Sequence, residues 1–160
     1  MEDLIKKIEQ WAEDRNIIKD TKPIDQAMKL FSEFGELADN VGKGRDCRDD
    51  VGDCVVVLTI MTKQHGDNII DSLDLCNWDY SHVSDVKYLV ETLCMTLALF
   101  SQEYDKYNTA DAIAILERIC DTQGYSLEEC VQIAYNDIKD RKGIVSMVCS
   151  SRNPILFMLK

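Results

Sequence analysis

Apolar residues recur every three or four positions along most of the chain, which is the spacing of one buried face on an α-helix. A second such segment begins at Pro23, a residue suited to a first helical turn, and continues to Gly42 and Gly44, which are expected to end it. Few segments alternate with period two, as strands do. The pattern predicts an all-α protein, and its first stripe consists of Leu4, Ile5, Ile8, Trp11 and Ala12.

A third helix is predicted over residues 47–65. Its segment 54–58 contains three consecutive valines and could also form a buried strand. The helical pattern continues through Ile60 and Met61 without a turn signal, so we favour the helix. Further helices are expected near residues 68–76, 85–104, 109–122 and 126–142, with a loop over 77–84.

The two halves of the chain align without a gap when the numbering is shifted by 58, which places residues 24–79 on 82–137. Asp53 then falls on Asp111, and Glu33 falls on Glu91. An internal duplication would give two degenerate helical repeats that pack into one four-helix-bundle core. Because identities are sparse, two similar hairpins with coincident ends remain the alternative. We expect one domain over residues 1–143 and a tail over 144–160.

The composition narrows the function classes. The chain has 160 residues, with 18 basic and 29 acidic side chains and a formal net charge of −11. This charge disfavours a nucleic-acid polymer or a membrane surface as a partner, although a small anion could bind if metal ions screened the carboxylates. The longest uncharged stretch has 11 residues (92–102), whereas a membrane helix needs about 20.

The seven cysteines include no C-x-x-C pair and mostly sit inside helical patterns. We therefore expect reduced, buried thiols in a cytoplasmic protein. The N-terminus lacks the apolar run of a signal peptide. A zinc site is disfavoured, because neither His65 nor His82 lies at ligand spacing from a cysteine pair.

Two pairs of acidic residues carry the candidate chemistry. Glu33 and Glu36 are three positions apart, which places them on one helical face, and Asp50 and Asp53 repeat that spacing on the next helix. The short connection between the two helices makes them antiparallel neighbours, so the four carboxylates should meet. Four such anions repel one another unless a hard cation lies between them, and oxygen ligands suit Mg²⁺ or Mn²⁺. Asp49 could add a fifth carboxylate or act on a water.

The alternative interpretation is an acidic face in solvent on two surface helices. Two features count against it. Glu33 is interleaved with apolar residues, and Asp53 precedes the apolar run of its helix. Small neighbours, Gly35 and Gly52, are expected to permit close helix approach. The spacing alone leaves both interpretations open.

Three segments carry a family resemblance. Residues 32–38 (SEFGELA) and 49–58 (DDVGDCVVVL) resemble the paired motifs E-E-x-x-E and E-x-x-D of the MazG-like all-α nucleoside triphosphate pyrophosphohydrolases. Residues 134–143 (AYNDIKDRKG) are similar to the segment A-x-N-E-I-K-x-R-K-G of phage and bacterial members. Ser32 and Asp50 depart from the motifs, and Asp50 keeps the ligand type. In the second half, Cys94 and Asn108 replace two acids, so the resemblance implies one working site and one degenerate repeat. The tail does not resemble the family's usual ending.

The resemblance implies hydrolysis of a nucleoside or deoxynucleoside triphosphate to the monophosphate and pyrophosphate, with Mg²⁺ as cofactor and Mn²⁺ as a substitute. The implied metal ligands are Glu33, Glu36, Asp50 and Asp53. Glu33, Glu36 and Asp49 are the catalytic candidates, and either Asp49 or Glu33 would take the proton. The implied substrate-binding residues are Asn136, Lys139, Arg141, Lys142 and Lys43.

Simpler explanations exist for the basic residues. Lysine and arginine are generally enriched at helix C-termini, and Lys43 lies in a turn that solvent could surround. A different class of function also remains, a non-catalytic helical module that binds nucleotides or proteins on the same scaffold. Members of the family often assemble as dimers or tetramers, whereas the repeat would make a monomer feasible, so the sequence leaves a homodimer or higher oligomer open.

Overall fold

The computed structural model describes residues 1–76 and 78–145. These residues form eight helical segments and no strand, which confirms the all-α prediction for the described part of the chain. The segments are α1 (Glu2–Asp14), α2 (Ile17–Asp20), α3 (Pro23–Lys43), α4 (Arg48–Gln64), a 3₁₀ helix (Ile69–Leu75), α5 (Val86–Gln102), α6 (Lys106–Gln123) and α7 (Leu127–Ile138).

Gly44 ends helix α3 as predicted: the helix runs through Gly42 to Lys43, and Gly44 caps it with a φ of +65°, the left-handed conformation that glycine adopts readily. Two other predicted helix ends are wrong, each for a local reason. Helix α6 begins at Lys106 and not at 109, because the Asp105 carboxylate accepts a hydrogen bond from the Tyr107 N–H at 3.0 Å and caps the first turn. Helix α7 ends at Ile138, so residues 139–142 lie beyond it.

Helix α4 is the centre of the molecule and contacts α1, α2, α3, α6, α7 and the 3₁₀ helix. Every residue from Cys54 to Thr62 is buried, which explains why this stretch is apolar on all sides. The triple-valine segment is therefore helical, as predicted. The buried hydroxyl of Thr59 is satisfied within the helix, because it donates a hydrogen bond to the Val55 carbonyl at 2.8 Å.

The two halves of the chain make corresponding helix–helix contacts. Helix α3 pairs with α4 and α5 pairs with α6, while α3 also contacts α5 and α4 contacts α6. The 3₁₀ helix of the first half packs on α6, whereas α7 of the second half packs on α4. Helix α7 thereby reaches the acidic residues of α4. A duplication as the origin of this pattern stays a prediction.

The close helix approach expected at Gly35 is wrong. This residue is exposed, and no described atom outside its immediate surroundings in α3 lies within 4 Å of a Cβ built on it. Close approach occurs at Gly52, where α7 crosses α4. None of the helices in the described ranges is long and apolar enough to span a bilayer.

The chain beyond α7 returns to α1. The Val145 N–H donates to the Arg15 carbonyl at 2.9 Å, and the Arg15 Nε donates to the Arg141 carbonyl at 2.6 Å. Ile144 and Val145 are thus the described part of the predicted tail. Residues 146–160 lie outside the described residues.

Candidate functional site

Glu33 lies on the inner side of α3 and is only 3% exposed. It forms an ion pair with Lys29, one turn earlier on the same helix. Burying a carboxylate is costly unless a countercharge is close, and Lys29, with about a third of its side chain exposed (35%), supplies that charge. Glu33 is therefore a buried, ion-paired carboxylate and not part of a solvated face.

Asp53 of α4 shares a small cavity with Glu33. The cavity has a volume of about 50 Å³ and is also lined by Trp11, Lys29 and Arg141. Burial raises the pKa of Asp53 to about 6; the charge of Asp49 adds to this effect, while Lys29 and Arg141 act against it. We call Glu33 and Asp53 the cavity pair.

Glu36 is exposed on α3, whereas Asp50 is buried on α4, and we call these two residues the seam pair. Asp50 is 7% exposed and accepts a hydrogen bond from the Asn40 side chain at 2.8 Å. Burial raises the pKa of Asp50, the bond from Asn40 opposes this effect, and the charges of Asp49 and Glu36 add to it. The acidic residues of α3 and α4 thus act on one another across the seam.

Asp49 lies on the more open side of α4. Partial burial raises its pKa, and the next contribution in size is repulsion by Asp137 of α7. Arg141 lowers this pKa, whereas Glu36 raises it. The electrostatic neighbours of Asp49 therefore come from α3, from α7 and from the segment after α7.

The donor chemistry of these residues fits a hard divalent cation, because every candidate ligand is a carboxylate oxygen. The side chains nevertheless divide into the two pairs. Lys29 holds Glu33, and Asn40 holds Asp50. Within residues 1–76 and 78–145, no three His, Cys, Asp or Glu side chains are grouped so as to hold a metal ion. A metal bound by all four carboxylates would require these side chains to exchange their present partners.

Arg141 is the predicted substrate-binding residue that the structure brings to the cavity. Lys139 donates to the Asn136 side chain at 2.9 Å on the exposed end of α7, and Lys43 pairs with Asp39 at 2.6 Å on α3. Lys142 is exposed beyond α7. These other four predicted residues do not line the cavity.

Sequence reasoning missed two cavity residues. Lys29 precedes Glu33 by four positions, and on a helix this spacing predicts an ion pair between the two side chains. Trp11 was assigned to the core, but it is only half-buried and lines the cavity. Its indole N–H is buried and has no hydrogen-bond partner in the described part of the chain. The Arg15 guanidinium lies 4.9 Å from the centre of the Trp11 ring.

The corresponding position of the second half has different surroundings. Asp111, which aligns with Asp53, is 8% exposed and accepts a hydrogen bond from the Cys76 thiol at 3.1 Å. Glu91, which aligns with Glu33, is exposed on α5. The first half thus brings Glu33 and Asp53 to one cavity, whereas in the second half Asp111 is buried and Glu91 is exposed.

The cysteines of the described residues are free thiols. Cys47, Cys54, Cys120 and Cys130 are buried as expected, whereas Cys76 is partly buried and Cys94 is exposed on α5. The sulfurs of Cys120 and Cys130 lie 3.6 Å apart. Cys149 lies outside the described residues.

Comparison with known proteins gives one informative match. The chain is 46% identical, over 76 residues, to an uncharacterised 18.2 kDa protein encoded in the rep–hol intergenic region of Haemophilus phage HP1. The match covers 46% of this chain and 47% of the phage protein, so it spans about half of each. No family model and no solved structure matches the chain.

Proposed function

We propose that this protein hydrolyses nucleoside or deoxynucleoside triphosphates to the monophosphate and pyrophosphate, on a MazG-like four-helix core and with Mg²⁺. The observation that carries the proposal is the cavity in which Glu33 and Asp53 lie beside Lys29 and Arg141. Carboxylates that could hold cations and cations that could hold phosphates thus line one site. The likeness to a phage protein agrees with the similarity of residues 134–143 to phage members of the family.

Glu33, Glu36, Asp50 and Asp53 are the proposed ligands of Mg²⁺, with Mn²⁺ as a substitute. Bound Mg²⁺ would neutralise phosphate charge and lower the pKa of a water. The carboxylates are suited to this role because burial and mutual repulsion raise the pKa values of Asp50 and Asp53. A divalent cation relieves that repulsion, so the folded chain gains from binding it.

Asp49 is the better candidate for the proton acceptor. Glu33 is engaged by the Lys29 ammonium, whereas Asp49 is partly exposed and makes no comparable ion pair among the described residues. Partial burial and the charges of Asp137 and Glu36 raise the pKa of Asp49, which makes it a stronger base. It would take the proton of the water that attacks the α-phosphorus, with pyrophosphate as the leaving group.

Arg141 is the proposed phosphate-binding residue. Its planar guanidinium offers a fork of donors to phosphate oxygens. Arg15 fixes the Arg141 backbone by donating to its carbonyl, so the side chain starts from a held position at the cavity. Lys139, Lys142, Asn136 and Lys43 stay as further substrate-binding candidates on the surrounding surface.

The test is pyrophosphate release from the eight common ribo- and deoxyribonucleoside triphosphates, with Mg²⁺ and then with Mn²⁺. Glu36→Ala is expected to lower the rate at least about 100-fold, within the range found when a charge-stabilising group is removed, while the circular dichroism spectrum stays that of a helical protein. Glu91→Ala, an exposed glutamate of α5, is the matched control and should keep the activity.

Two results would contradict the proposal. One is the absence of pyrophosphate release from every nucleotide with either metal. The other is equal activity of Glu36→Ala and Glu91→Ala. The first result, together with nucleotide binding in a calorimeter, would favour the non-catalytic nucleotide-binding module.

A further inference from the structure

Two buried thiols face each other between α6 and α7. The Cys120 and Cys130 sulfurs lie 3.6 Å apart, and both side chains are fully buried. The two sulfurs are thus in contact, whereas a disulfide bond is about 2.05 Å long. Closing the gap needs a displacement of about 1.5 Å, which the two side chains and the ends of their helices can share. The pair is therefore placed to form a bond without a change of fold.

The pair lies at the end of a helical hairpin. Cys120 belongs to the last turn of α6, and Cys130 belongs to the first turn of α7. Gly124 and Ser126, in the segment that connects the two helices, are exposed. Helix ends open locally at a low cost in free energy. A small oxidant therefore reaches the two sulfurs when this end of the hairpin opens.

The two thiols are not equivalent. When Cys120 is the donor, its hydrogen bond lowers the pKa of the Cys130 thiol, and burial opposes this effect. Cys130 also lies close to the N-terminus of α7, where the helix dipole favours a thiolate. The thiolate is the nucleophile in thiol oxidation. Cys130 is therefore the attacking group, and Cys120 is the thiol that completes the bond.

We propose that Cys120 and Cys130 are a reversible redox pair, which hydrogen peroxide converts to an intrachain disulfide between α6 and α7. The Cys130 thiolate attacks one peroxide oxygen, so that a sulfur–oxygen bond forms and the oxygen–oxygen bond breaks. The leaving hydroxide takes a proton and becomes water. The Cys120 thiolate then attacks the oxidised Cys130 sulfur, the disulfide forms, and a second water leaves. Two electrons pass from the thiols to the peroxide, and a dithiol reductant restores both thiols.

The bond would act on the candidate site through α7. The Cys130 carbonyl lies against the backbone of α4 at Gly52, with no room for a side chain between them. The same helix α7 carries Asp137, a charged neighbour of Asp49 on α4. A covalent link to α6 would therefore fix the helix that packs beside the acidic residues of α4. The proposal does not depend on nucleotide hydrolysis.

The test uses the full chain in a Cys94→Ser/Cys149→Ser background, which removes the exposed thiol of α5 and the cysteine outside the described residues. The reduced protein is treated with hydrogen peroxide, and its peptides are mapped by mass spectrometry without reduction. The peptides that contain Cys120 and Cys130 should be joined, with the loss of two hydrogen atoms, and dithiothreitol should separate them. The melting temperature should rise by roughly 5 °C or more, because the link restricts the unfolded chain.

Alanine variants in this background test the roles of the two thiols. Cys120→Ala should leave a sulfenic acid on Cys130 that dimedone traps, whereas Cys130→Ala should give no trapped product at Cys120. Neither variant should gain thermal stability from peroxide. Cys54→Ala is the matched control, because Cys54 is an equally buried thiol of α4, and it should still form the bond. If one of the two test variants fails to fold, the other still tests the loss of the bond.

Three outcomes would overturn the proposal. The first is that Cys120 and Cys130 stay free thiols after peroxide treatment. The second is a bond from either of them to Cys47, the buried thiol whose sulfur lies 2.8 Å from the Tyr125 hydroxyl. The third is a Cys120–Cys130 bond that forms only in urea, because the folded chain would then not bring the two sulfurs together.

Discussion

Gly52 of α4 lies directly against the backbone of Cys130 on α7. A Cβ atom built on Gly52 would stand 2.8 Å from the Ala134 Cβ and closer still to the Cys130 carbonyl oxygen. The two helices therefore pack backbone to backbone, with no room for a side chain between them. This contact sets the separation at which Asp49 and Asp53 meet the charges of Asp137 and Arg141.

Gly52→Ala should therefore destabilise the fold. Inserting a methyl group against a backbone carbonyl forces α4 and α7 apart, at a cost of about 1–3 kcal/mol, measured by urea unfolding. Gly35→Ala is the matched control, because the corresponding Cβ meets no atom of another described element. It should raise the free energy of unfolding by about 0.5–1 kcal/mol through helix propensity. Equal effects of the two substitutions would show that the helices do not touch here.

Asp53→Asn should change how stability depends on pH. Burial and the charge of Asp49 raise the pKa of Asp53 from 3.8 to about 6 in the folded chain. Its contribution to stability is thus fully present below pH 3.8 and is lost as the pH rises through 6. Asparagine does not ionise. In EDTA at pH 7.5, the free energy of unfolding of the variant should therefore exceed that of the parent by up to about 3 kcal/mol. At pH 3.5 the two values should be equal.

The measurement is thermal unfolding of both chains at the two pH values. A variant that is less stable than the parent at pH 7.5 would show that the ionised Asp53 is favourably paired with Lys29 and Arg141. Asp3→Asn, at an exposed position of α1, controls for general loss of negative charge.

Mg²⁺ should raise the melting temperature of the chain. The acidic residues of α3 and α4 repel one another only when the chain is folded, so a cation that binds them stabilises the folded state. At 100 times the dissociation constant, the gain is about 2.7 kcal/mol. Scanning calorimetry with Mg²⁺, against NaCl at equal ionic strength, tests this; no difference would argue against a metal site.

Glu9 and Lys63 form a second largely buried pair, which joins α1 to α4. Their charged atoms are 3.1 Å apart, and Glu9 is 8% exposed. Lys63→Met would leave the carboxylate without its countercharge and should lower the free energy of unfolding by about 1–3 kcal/mol, less than for a fully buried pair because a third of Lys63 is exposed. The double variant Glu9→Met/Lys63→Met should recover most of this loss. No recovery would mean that Lys63 acts through packing alone.

The sequence by itself determined the helical class, the place of most helices and the buried character of α4. These properties follow from local rules, namely the spacing of apolar residues and the tendency of a glycine such as Gly44 to end a helix. It also placed Glu33 and Asp53 on adjacent helices, because a short connection leaves an antiparallel arrangement. The sequence did not predict the helix end at Ile138, because residues 139–142 are compatible with a helix. In the structure, Arg15 donates hydrogen bonds to the carbonyls of Lys139 and Arg141, and this segment leaves the helix.

Only the tertiary structure decided which groups share the cavity. Trp11, Glu33, Asp53 and Arg141 come from four separate segments, and no spacing along the chain encodes their meeting. The reason is that α7 packs across α4 at Gly52, which brings residues distant in sequence to one place. The periodic pattern tells which side of a helix is apolar, whereas the partner of that side is set by the packing of the whole chain.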